Sequence, residues 1–382
     1  MLFELMHGDV AVASVDLEEV TGVMVHVAGV SDVEHMPMGT VVDGTVRPER
    51  LQRWWSSRAI PMSRKGIREV LERLDIPATE HIMMRSSGLS LSDHYWICPI
   101  GSSAEWSEAN PFDNPFSDYV GDLLFGMDAG EGSIDLPSPD PATGGRLPKR
   151  WKVMDVRRCL IKSGTRPFRQ EPFNEVAAGI IADSLGIDHV DYSVIDYGGT
   201  PCSVCEDFVT ADTELVPAYQ VMRSEVHDAG VSDYDHYVLC CARHGIDAVP
   251  ALDRMMILDY VIANGDRHLN NFGIIRDAHS LEWISPAPIY DSGSSMGFDC
   301  GEGSIASDAG RRCKPFSERW AEQMELVSDV GWIDFDALRE GVGRACEVFS
   351  KVEAFRETGR DAMIGELLES RVDGLEAWAR TR

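Results

Sequence analysis

One short stretch of the chain brings together a carboxylate, an imidazole and amide side chains. The residues from Asp259 to Asn271 read DYVIANGDRHLNN, and Asp266, His268 and Asn271 fall within six positions. Transfer of a phosphoryl group requires a carboxylate that orients and deprotonates the attacking hydroxyl, together with an oxygen ligand for the cation that bridges the phosphates. We therefore interpret Asp266 as a candidate base and Asn271 as a candidate metal ligand.

The spacing of these residues favours one kind of phosphoryl-transfer site. Asp266 and Asn271 stand five residues apart, which is the Asp-to-Asn spacing of a protein-kinase catalytic loop. Asp291, in the sequence PIYDSGSS, follows an apolar strand signal and precedes Ser-Gly, which favours it as a second metal ligand. The alternative is structural: Asp266, Arg267 and His268 would then only cap a helix and form salt bridges.

An apolar run precedes this polar segment. Met255 to Ile262 is almost uninterruptedly apolar, which predicts a helix that is buried on all sides. Asn264 and Gly265 follow it, and these residue types most readily adopt a positive φ at the end of a helix. Downstream, Phe272 to Ile275 and Leu281 to Ile284 are predicted as short strands. We expect the polar residues to form a loop held by a core helix.

A glycine-containing segment upstream is suited to phosphate binding. Thr143-Gly144-Gly145-Arg146-Leu147-Pro148-Lys149 precedes a strand predicted at Trp151 to Val156. Glycines allow backbone amides to approach a phosphate closely, and Lys149 adds a positive charge. A Gly-Gly pair alone is more often an ordinary turn. The sequence RCLIK at 158–162 supports the phosphate-binding hypothesis. It predicts an apolar strand that carries Lys162 near its end, as the phosphate-pairing strand of a kinase small lobe does.

A helix is predicted after this strand. Asn174 is expected to cap it, Gly186 to end it, and Glu175 then falls in its first turn. The carboxylate of Glu175 either favours the helix dipole or pairs with Lys162 and holds that amine toward the phosphates. The residues leave both roles open.

Two further strands are predicted at His189 to Asp196 and Ser203 to Val209, joined by a turn at Gly198-Gly199. Glu206-Asp207-Phe208 then lies where a small lobe gives way to a large one, and we expect adenine to bind its backbone. Cys202-Ser203-Val204-Cys205 resembles half of a zinc or redox motif. Residues three apart in a strand face opposite sides and no second pair follows, so we discount a metal there.

Composition limits the class of protein. The chain has 382 residues, 44% of them hydrophobic, which is enough for two or three domains with their own cores. A net charge of -28 repels polyphosphate backbones and argues against direct nucleic-acid binding. Nine cysteines without disulfide spacing suit a reducing cytosol. With no cationic leader and no apolar run of membrane-spanning length, we expect a soluble cytoplasmic protein that does not enter a membrane.

The first third of the chain has the weakest signals. Val23 to Val27 predicts a strand, and Arg47 to Trp55 and Ser63 to Leu74 predict helices. Basic residues cluster here in an otherwise acidic chain. The members of this basic island are Arg47, Arg50, Arg53, Arg58, Arg64, Lys65, Arg68 and Arg73. We interpret the basic island as a solvated or partner-facing surface rather than a nucleic-acid site.

From Thr213 onward the pattern is mainly helical. The predicted helices are 234–244, 252–264, 318–327, 335–352 and 363–379. Ser292 to Pro315, which is rich in Gly and Ser, separates the candidate site from the later helices. Its position favours an activation or substrate segment, and a plain surface loop is the alternative.

Five of these residues, Lys162, Glu175, Asp266, Asn271 and Asp291, follow the order found in the HipA-like serine/threonine kinases of bacteria, which the chain resembles. The matching motifs are LIK at 160–162, QEPFNEV at 170–176, SVCEDF at 203–208, GDRHLNNFGI at 265–274 and PIYDSGSS at 288–295. The resemblance implies an α+β fold, two-lobed and protein-kinase-like, with an additional N-terminal α/β subdomain. The implied regions are the subdomain at 1–125, a small lobe with the Gly-rich loop at 126–212 and a helical large lobe at 213–382.

The resemblance also implies an activity: transfer of phosphate from ATP, with Mg²⁺, to serine or threonine of a protein substrate. Asp266 would be the base, Asn271 and Asp291 would hold the metal, Lys162 would orient phosphates, and His268 would lie against the nucleotide or Asp266. Several members of this family are toxins paired with a DNA-binding antitoxin, and some modify an aminoacyl-tRNA synthetase. A protein of translation is thus an implied substrate class.

The same residues are compatible with other functions. The sequence GDRH with Asn271 also resembles the loop of phosphatidylinositol kinases, although no obvious basic amphipathic membrane helix accompanies it, which favours a protein acceptor. A nucleotide-binding pseudokinase or a protein-interaction module, with the basic island binding a partner, is a further hypothesis, based on the weak glycine signal and the acidic balance of the chain. Family members phosphorylate themselves in the Gly-rich loop, where Thr143 or Ser138 would be the acceptor here, but the serine pattern does not match cleanly.

Overall fold

The computed structural model of the chain describes residues 1–307 and 311–382. Its strands are β1 Leu2–His7, β2 Val10–Leu17, β3 Met24–Val30, β4 Val41–Val42, β5 Thr45–Val46, β6 Tyr95–Pro99, β7 Lys149–Met154, β8 Arg157–Ser163, β9 Ser193–Asp196, β10 Pro201–Glu206, β11 Thr213–Pro217, β12 Gly273–Asp277 and β13 Trp283–Pro286. Its α-helices are α1 Pro48–Arg58, α2 Ile67–Leu74, α3 Thr79–Arg85, α4 Trp106–Ala109, α5 Asp118–Phe125, α6 Glu171–Ser184, α7 Ala218–Arg223, α8 Asp233–Arg243, α9 Val249–Val261, α10 Glu302–Ile305, α11 Trp320–Met324, α12 Phe335–Ser350, α13 Glu353–Thr358 and α14 Arg360–Ala379.

The chain divides into two compact units. The first comprises Met1–Lys162, Glu206–Asp228 and Ile274–Ser285, and the second comprises Ser163–Cys205, Ala229–Gly273 and Pro286–Arg382. Each unit is therefore assembled from separate stretches of sequence. The division into 1–125, 126–212 and 213–382 follows the order of the motifs along the chain and stays a prediction.

The first unit begins with a four-stranded antiparallel sheet in the order β3-β2-β1-β6. Burial alternates along β1, where Phe3, Leu5 and His7 are buried, as expected of a sheet with one covered face. Trp54 and Trp55 of α1 are buried in the same hydrophobic cluster as Leu5. A core made of large aromatic and aliphatic side chains thus supports the N-terminal part of this unit.

A buried ion cluster connects the β11-β12-β13 sheet to the N-terminal sheet of the same unit. The carboxylate of Glu214 on β11 lies 2.6 Å from Nε2 of His7 on β1 and 2.7 Å from the guanidinium of Arg276 on β12. Burial by itself raises the pKa of a carboxyl, but Arg276 and the neighbouring histidines outweigh it, and the pKa of Glu214 lies well below its usual value. The ionised carboxylate therefore anchors β12, the strand that follows the candidate catalytic loop.

The second unit is mainly helical. Helix α12 packs against α6 and α14, and buried side chains such as Leu338, Phe349 and Leu368 fill the space inside this unit. β9 and β10 form an antiparallel hairpin. Its turn contains Gly198 and Gly199 at φ +61° and +74°, which is the reason that the turn uses glycine.

Helix α9 is buried on all sides as predicted, since every residue from Met255 to Asp259 is buried. The predicted end of the helix is wrong. The residue with a positive φ is Ala263, at +51°, and neither Asn264 nor Gly265 adopts one. Asn264 instead acts through its side chain, which donates to Oδ1 of Asp259 at 2.8 Å. Asn264 therefore contributes to the end of the helix through a local side-chain hydrogen bond and not through a positive φ.

The predicted start of helix α6 is also wrong. The helix begins at Glu171, three residues before the predicted cap at Asn174. Pro172 explains the earlier start, because proline is well tolerated in the first turn, where the backbone N–H has no helical partner. Asn174 is therefore a buried interior residue, and Glu175 lies in the second turn.

The remaining predictions concern the segments around these cores. Helix α2 begins at Ile67 rather than Ser63, because Gly66 at φ +86° stands before its first turn. The predicted activation or substrate segment at 292–315 contains the short helix α10, and its residues 308–310 lie outside the described residues. Within the described ranges, no helix combines the length and apolar character needed to cross a bilayer.

Candidate active site

The loop after α9 is built around one buried arginine. Nε and Nη2 of Arg267 donate to the two carboxylate oxygens of Asp259, both at 2.9 Å. Burial disfavours a charged guanidinium, but the Asp259 carboxylate outweighs it and raises the pKa of Arg267 above its usual value. Because Asp259 lies in the last turn of α9, this ion pair fixes the loop to the core helix.

The same guanidinium holds the backbone at both candidate metal ligands. Nη1 of Arg267 donates to the carbonyl of Asn271 at 3.0 Å and to the carbonyl of Tyr290, and Nη2 donates to Oγ of Ser292 at 3.0 Å. Asn271 and Asp291 are thus tied to one side chain although they are distant in sequence. The motif gives Arg267 no role beyond a structural ion pair; an aspartate in the last turn of the preceding helix is the sequence signal that points to it.

Asp266 lies in the exposed part of this loop, with 45% of its side chain accessible to solvent. Its Oδ1 accepts a hydrogen bond from Nζ of Lys314 at 2.7 Å. Its backbone N–H donates to Oδ1 of Asn264 at 3.1 Å, and its carbonyl accepts from the backbone N–H of His268 at 2.7 Å. The backbone of Asp266 is therefore fixed while its carboxylate remains accessible.

Asn271 and His268 complete the loop. The Nδ2 of Asn271 donates to the carbonyl of Asp266 at 3.2 Å. This bond uses the amide nitrogen and leaves Oδ1 as the atom suited to a hard cation. The ring Nδ1 of His268 accepts from the backbone N–H of Asn270 at 3.3 Å. His268 therefore stabilises the turn between the candidate base and the candidate metal ligand, and its contact with a nucleotide stays a prediction.

Asp291 has an unusual backbone conformation, with a φ of +55°. Non-glycine residues adopt this region rarely, and such strain concentrates at functional sites. The backbone N–H of Asp291 donates to the hydroxyl of Tyr192 at 3.3 Å, and the N–H of Ser292 donates to Oε2 of Glu175 at 2.8 Å. Bonds on both sides of the carboxylate thus hold this conformation.

Helix α6 fixes the chain that follows Asp291. Nδ2 of Asn174 donates to the carbonyls of Gly293 and Ser295, both at 2.8 Å. Asn174 is thus a positioning residue rather than the helix cap that the sequence predicted. Glu175 acts beside it through the bond to Ser292, and its pairing with Lys162 stays a prediction.

In the first unit, the candidate phosphate-binding residues meet at one end of the β7–β8 hairpin. Lys149 and Lys162 are directly paired residues of this antiparallel hairpin. Gly145 has a φ of +88°, and a Cβ placed on it would come within 2.8 Å of Nζ of Lys149. The ammonium of Lys149 therefore lies against the glycine segment, which continues through Gly144 and Thr143.

Glu206-Asp207-Phe208 follows β10. The backbone N–H of Asp207 donates to the carbonyl of Arg158 at 2.8 Å, and its Oδ1 accepts from the N–H of Val209 at 3.1 Å. Its Oδ2 is buried and has no hydrogen-bond partner within the part of the chain that the structure describes. Burial raises the pKa of Asp207 well above its usual value. A buried polar atom without a partner fits a segment that binds a hydrogen-bonding ligand such as a nucleotide.

The candidate ligands Asn271 and Asp291 suit a magnesium ion better than a metal that is held by protein side chains alone. Among residues 1–307 and 311–382, no group of three or more His, Cys, Asp or Glu side chains is arranged to hold a metal ion. Magnesium is usually bound by one or two protein oxygens, with water and substrate phosphates as the other ligands. Asn271 and Asp291 would supply such a pair.

Comparison with known proteins identifies the family. A family model described as the HipA-like C-terminal domain matches residues 143–355. The chain belongs to this HipA-like family. The matched stretch begins at Thr143 and includes every residue predicted to act in catalysis or to bind the nucleotide or the metal, so the resemblance drawn from the motifs is confirmed.

Individual HipA-like relatives are distant. The chain is 28% identical over 131 residues to the serine/threonine-protein kinase CtkA of Helicobacter pylori strain J99. This alignment covers 32% of the chain and spans 40% of the length of that curated relative. The crystal structure of the proinflammatory kinase CtkA of Helicobacter pylori is 16% identical, with a TM-score of 0.46 over 61% of this chain and 94% of that one. A complex of HipA, HipB and operator DNA from Shewanella oneidensis MR-1 is 13% identical, with a TM-score of 0.57 over 98% of this chain and 97% of that one.

The last of these likenesses concerns the fold. At 13% identity and nearly full coverage, it shows that the HipA-like chain has the HipA fold. The α+β, kinase-like fold class predicted from the motifs is confirmed. At the level of the family, the chain is related to serine/threonine kinases.

Two residues of the basic island do not lie on the solvated or partner-facing surface that the sequence predicts. Arg58 and Arg64 are buried and donate to carbonyl oxygens within the first unit of this HipA-like chain. A solvated surface is wrong for these two, because each guanidinium is needed to satisfy buried backbone groups. Arg47, Arg53, Lys65, Arg68 and Arg73 are exposed as expected.

Proposed function

We propose that this chain is an ATP- and Mg²⁺-dependent serine/threonine protein kinase. The observation that carries the proposal is the network of Arg267, because one guanidinium binds the backbone at both candidate metal ligands and anchors the loop that contains Asp266. Groups that must act together in phosphoryl transfer require this kind of preorganisation. Membership of the HipA-like family supports the same activity.

In the proposed reaction, Asp266 acts on the acceptor. Its carboxylate accepts the proton of a serine or threonine hydroxyl as that oxygen forms a bond to the terminal phosphorus of ATP. The bond between this phosphorus and the bridging oxygen breaks, and ADP leaves with the electron pair. Magnesium, held by Asn271 and Asp291, would neutralise charge on the phosphates.

The nucleotide would be held by residues of the first unit. Lys162, Lys149 and the segment Thr143-Gly144-Gly145 are proposed to bind phosphates, because cations and glycine-rich backbone stabilise phosphate oxygens. The backbone of Glu206, Asp207 and Phe208 is proposed to bind adenine. His268 would contact the nucleotide or Asp266, and Glu175 would pair with Lys162 and orient its amine.

The proposed partners follow from the family and from charge. The Shewanella oneidensis HipA is in a complex with HipB and operator DNA, and we propose a DNA-binding, antitoxin-like partner and a protein substrate, a protein of translation, for this chain in the cytoplasm. A net charge of -28 opposes direct contact with DNA. The purified chain alone should therefore not shift a DNA duplex in an electrophoretic mobility assay, and a salt-sensitive shift would contradict this part of the proposal.

The decisive experiment compares the wild type with Asp266→Asn. Both proteins are incubated with γ-labelled ATP, Mg²⁺ and a bacterial protein extract, and phosphoserine and phosphothreonine are counted by mass spectrometry. We expect labelled sites with the wild type and none above background with Asp266→Asn, since the amide accepts no proton from the hydroxyl. ATP affinity, measured by calorimetry, should be similar for both proteins.

Three outcomes would contradict the proposal. Equal labelling by both proteins would exclude Asp266 as the base. Tight ATP binding by the wild type without transfer to any protein would instead indicate a pseudokinase, and transfer to phosphatidylinositol vesicles alone would indicate a lipid kinase.

A further inference from the structure

A buried arginine of the N-terminal region binds three consecutive residues of the glycine segment. Nε of Arg64 donates to the carbonyl of Gly145 at 3.1 Å, and Nη2 donates to the carbonyl of Gly144 at 2.8 Å and to that of Thr143. Nη1 donates to Oγ1 of Thr143 at 3.0 Å. All three nitrogens of one guanidinium are therefore used on a single short loop.

The positions of these carbonyls determine where the loop amides point. In a planar trans peptide, the C=O and the following N–H point in opposite directions. Because the carbonyls of Thr143, Gly144 and Gly145 converge on Arg64, the amides of Gly144, Gly145 and Arg146 point away from it. These amides therefore lie on the face of the segment opposite Arg64, where we expect them to donate to phosphate oxygens. The ammonium of Lys149 lies against Gly145 and adds positive charge to this segment.

The arginine itself is held in place. Only 2% of Arg64 is exposed. Its backbone N–H donates to the carbonyl of Pro61 at 2.8 Å, and the neighbouring N–H of Ile60 donates to the carbonyl of Pro141 at 3.2 Å. The N-terminal segment and the glycine segment therefore form one hydrogen-bonded structure within the first unit, and Arg64 has little freedom to leave it.

We propose that Arg64 is the positioning residue of the phosphate-binding loop, and that through it the N-terminal region controls affinity for the phosphates of the nucleotide. This inference rests on the proposed function, since it takes the glycine segment to bind phosphates. Arg64 itself faces the carbonyl side of the loop and does not contact the ligand. Its effect is to align the amides before the nucleotide arrives, which removes the entropic cost of ordering them at the moment of binding.

The test compares nucleotides that differ only in phosphate content. Affinities of the full-length wild type, Arg64→Gln and Arg64→Lys for ATP and for adenosine are measured by calorimetry, each with Mg²⁺. We expect Arg64→Gln to weaken ATP binding by about tenfold to a hundredfold, because a small displacement of a positioning group has effects of this size. Adenosine has no phosphates to contact the loop, so its affinity should change by less than about twofold, which is less than the loss of one typical hydrogen bond. Arg64→Lys should lie between, because an ammonium lacks the planar fork.

Arg58→Gln is the matched control. Arg58 is also a buried arginine of the basic island, and it donates to the carbonyls of Gly88 and Tyr95 and pairs with Asp93 rather than with the glycine segment. Its loss should lower the thermal midpoint of unfolding as the Arg64 substitutions do. It should leave the ratio of ATP to adenosine affinity unchanged, which separates positioning from general destabilisation.

The outcomes distinguish this inference from the function on which it rests. A wild type that binds ATP, with the same ratio of ATP to adenosine affinity in Arg64→Gln and Arg64→Lys, overturns the role of Arg64 and leaves the kinase proposal standing. A wild type that binds neither ATP nor adenosine overturns both. If Arg64→Gln does not fold, the ratio measured for Arg64→Lys against Arg58→Gln decides the question.

Discussion

Lys314 places its ammonium nitrogen 2.7 Å from Oδ1 of Asp266, the carboxylate that we propose as the base. An acceptor hydroxyl needs the same carboxylate. Both side chains are nearly half exposed, at 47% and 45%, and ion pairs of this kind contribute only about 0 to 1 kcal/mol. Lys314 is therefore a weak competitor for the base, contributed by the end of the Gly- and Ser-rich segment.

Replacement of Lys314 should modestly accelerate transfer. In Lys314→Ala the acceptor no longer displaces an ammonium, so kcat/KM for a protein substrate should rise by up to about fivefold, which corresponds to the upper limit of the ion pair. Arg312→Ala is the control, because Arg312 pairs with Glu318 at 2.9 Å rather than with Asp266. A tenfold or larger loss in Lys314→Ala alone would show that the ammonium assists the reaction.

Asp291→Asn should remove the dependence on magnesium. Asparagine tolerates the φ of +55° that this position requires, so the backbone should persist while the negative charge is lost. We expect kcat to fall by about two orders of magnitude or more, as when one preorganised electrostatic group is removed, and Mg²⁺ should no longer strengthen ATP binding in calorimetry. Asp299→Asn, an exposed change of the same kind nearby, should behave like the wild type. Retained magnesium dependence would exclude Asp291 as a ligand.

Arg267→Met should destabilise the second unit. The substitution leaves the carboxylate of Asp259 buried without its partner, and such a loss costs about 3 to 5 kcal/mol in the free energy of unfolding. Chemical denaturation would measure it. The double variant Asp259→Leu with Arg267→Met should recover part of this loss, because it removes both buried charges. Arg380→Met, which breaks only the exposed pair with Glu376, should leave the free energy of unfolding nearly unchanged.

The stability of the chain should depend on Asp140, which precedes the glycine segment. This carboxyl is buried, and burial raises its pKa from 3.8 to about 6 against the opposing effects of the Trp151 N–H, Arg150 and Arg64. Between pH 4 and 6 the folded state therefore binds more protons than the unfolded state, so the contribution of Asp140 to stability is full below about pH 4 and is lost as the pH rises through 6.

Asp140→Asn isolates this contribution, because asparagine does not titrate. Relative to Asp140→Asn, the wild type should lose about 3 kcal/mol of unfolding free energy as the pH rises from 4 to 7. Denaturation of both proteins at several pH values measures it. A difference that does not change with pH would show that Asp140 keeps an ordinary pKa.

Local sequence patterns were sufficient to predict the family, the fold class and many of the helices and strands of this protein. The Asp266-to-Asn271 spacing and the order of the motifs led to the HipA-like family and the α+β fold class, and the apolar run of α9 predicted a buried helix. The strands at β7, β8 and β10 were also predicted, with ends that differ by a few residues. Such features depend on neighbours within a few positions, so they are visible without a fold. The predicted end of α9 is wrong because Asn264 bonds through its side chain to Asp259, and the predicted start of α6 is wrong because Pro172 allows the helix to begin earlier.

The contacts that organise the candidate site could not be read from these patterns. Lys314 reaches Asp266 across 48 residues, Arg64 reaches Gly144 across 80, and Asn174 reaches Gly293 across 119. Each is a polar side chain that satisfies a group from a distant part of the chain, and packing brings the two together. A sequence pattern records which residues carry charge or hydrogen-bonding groups, whereas the choice of partner depends on which buried groups would otherwise lack one.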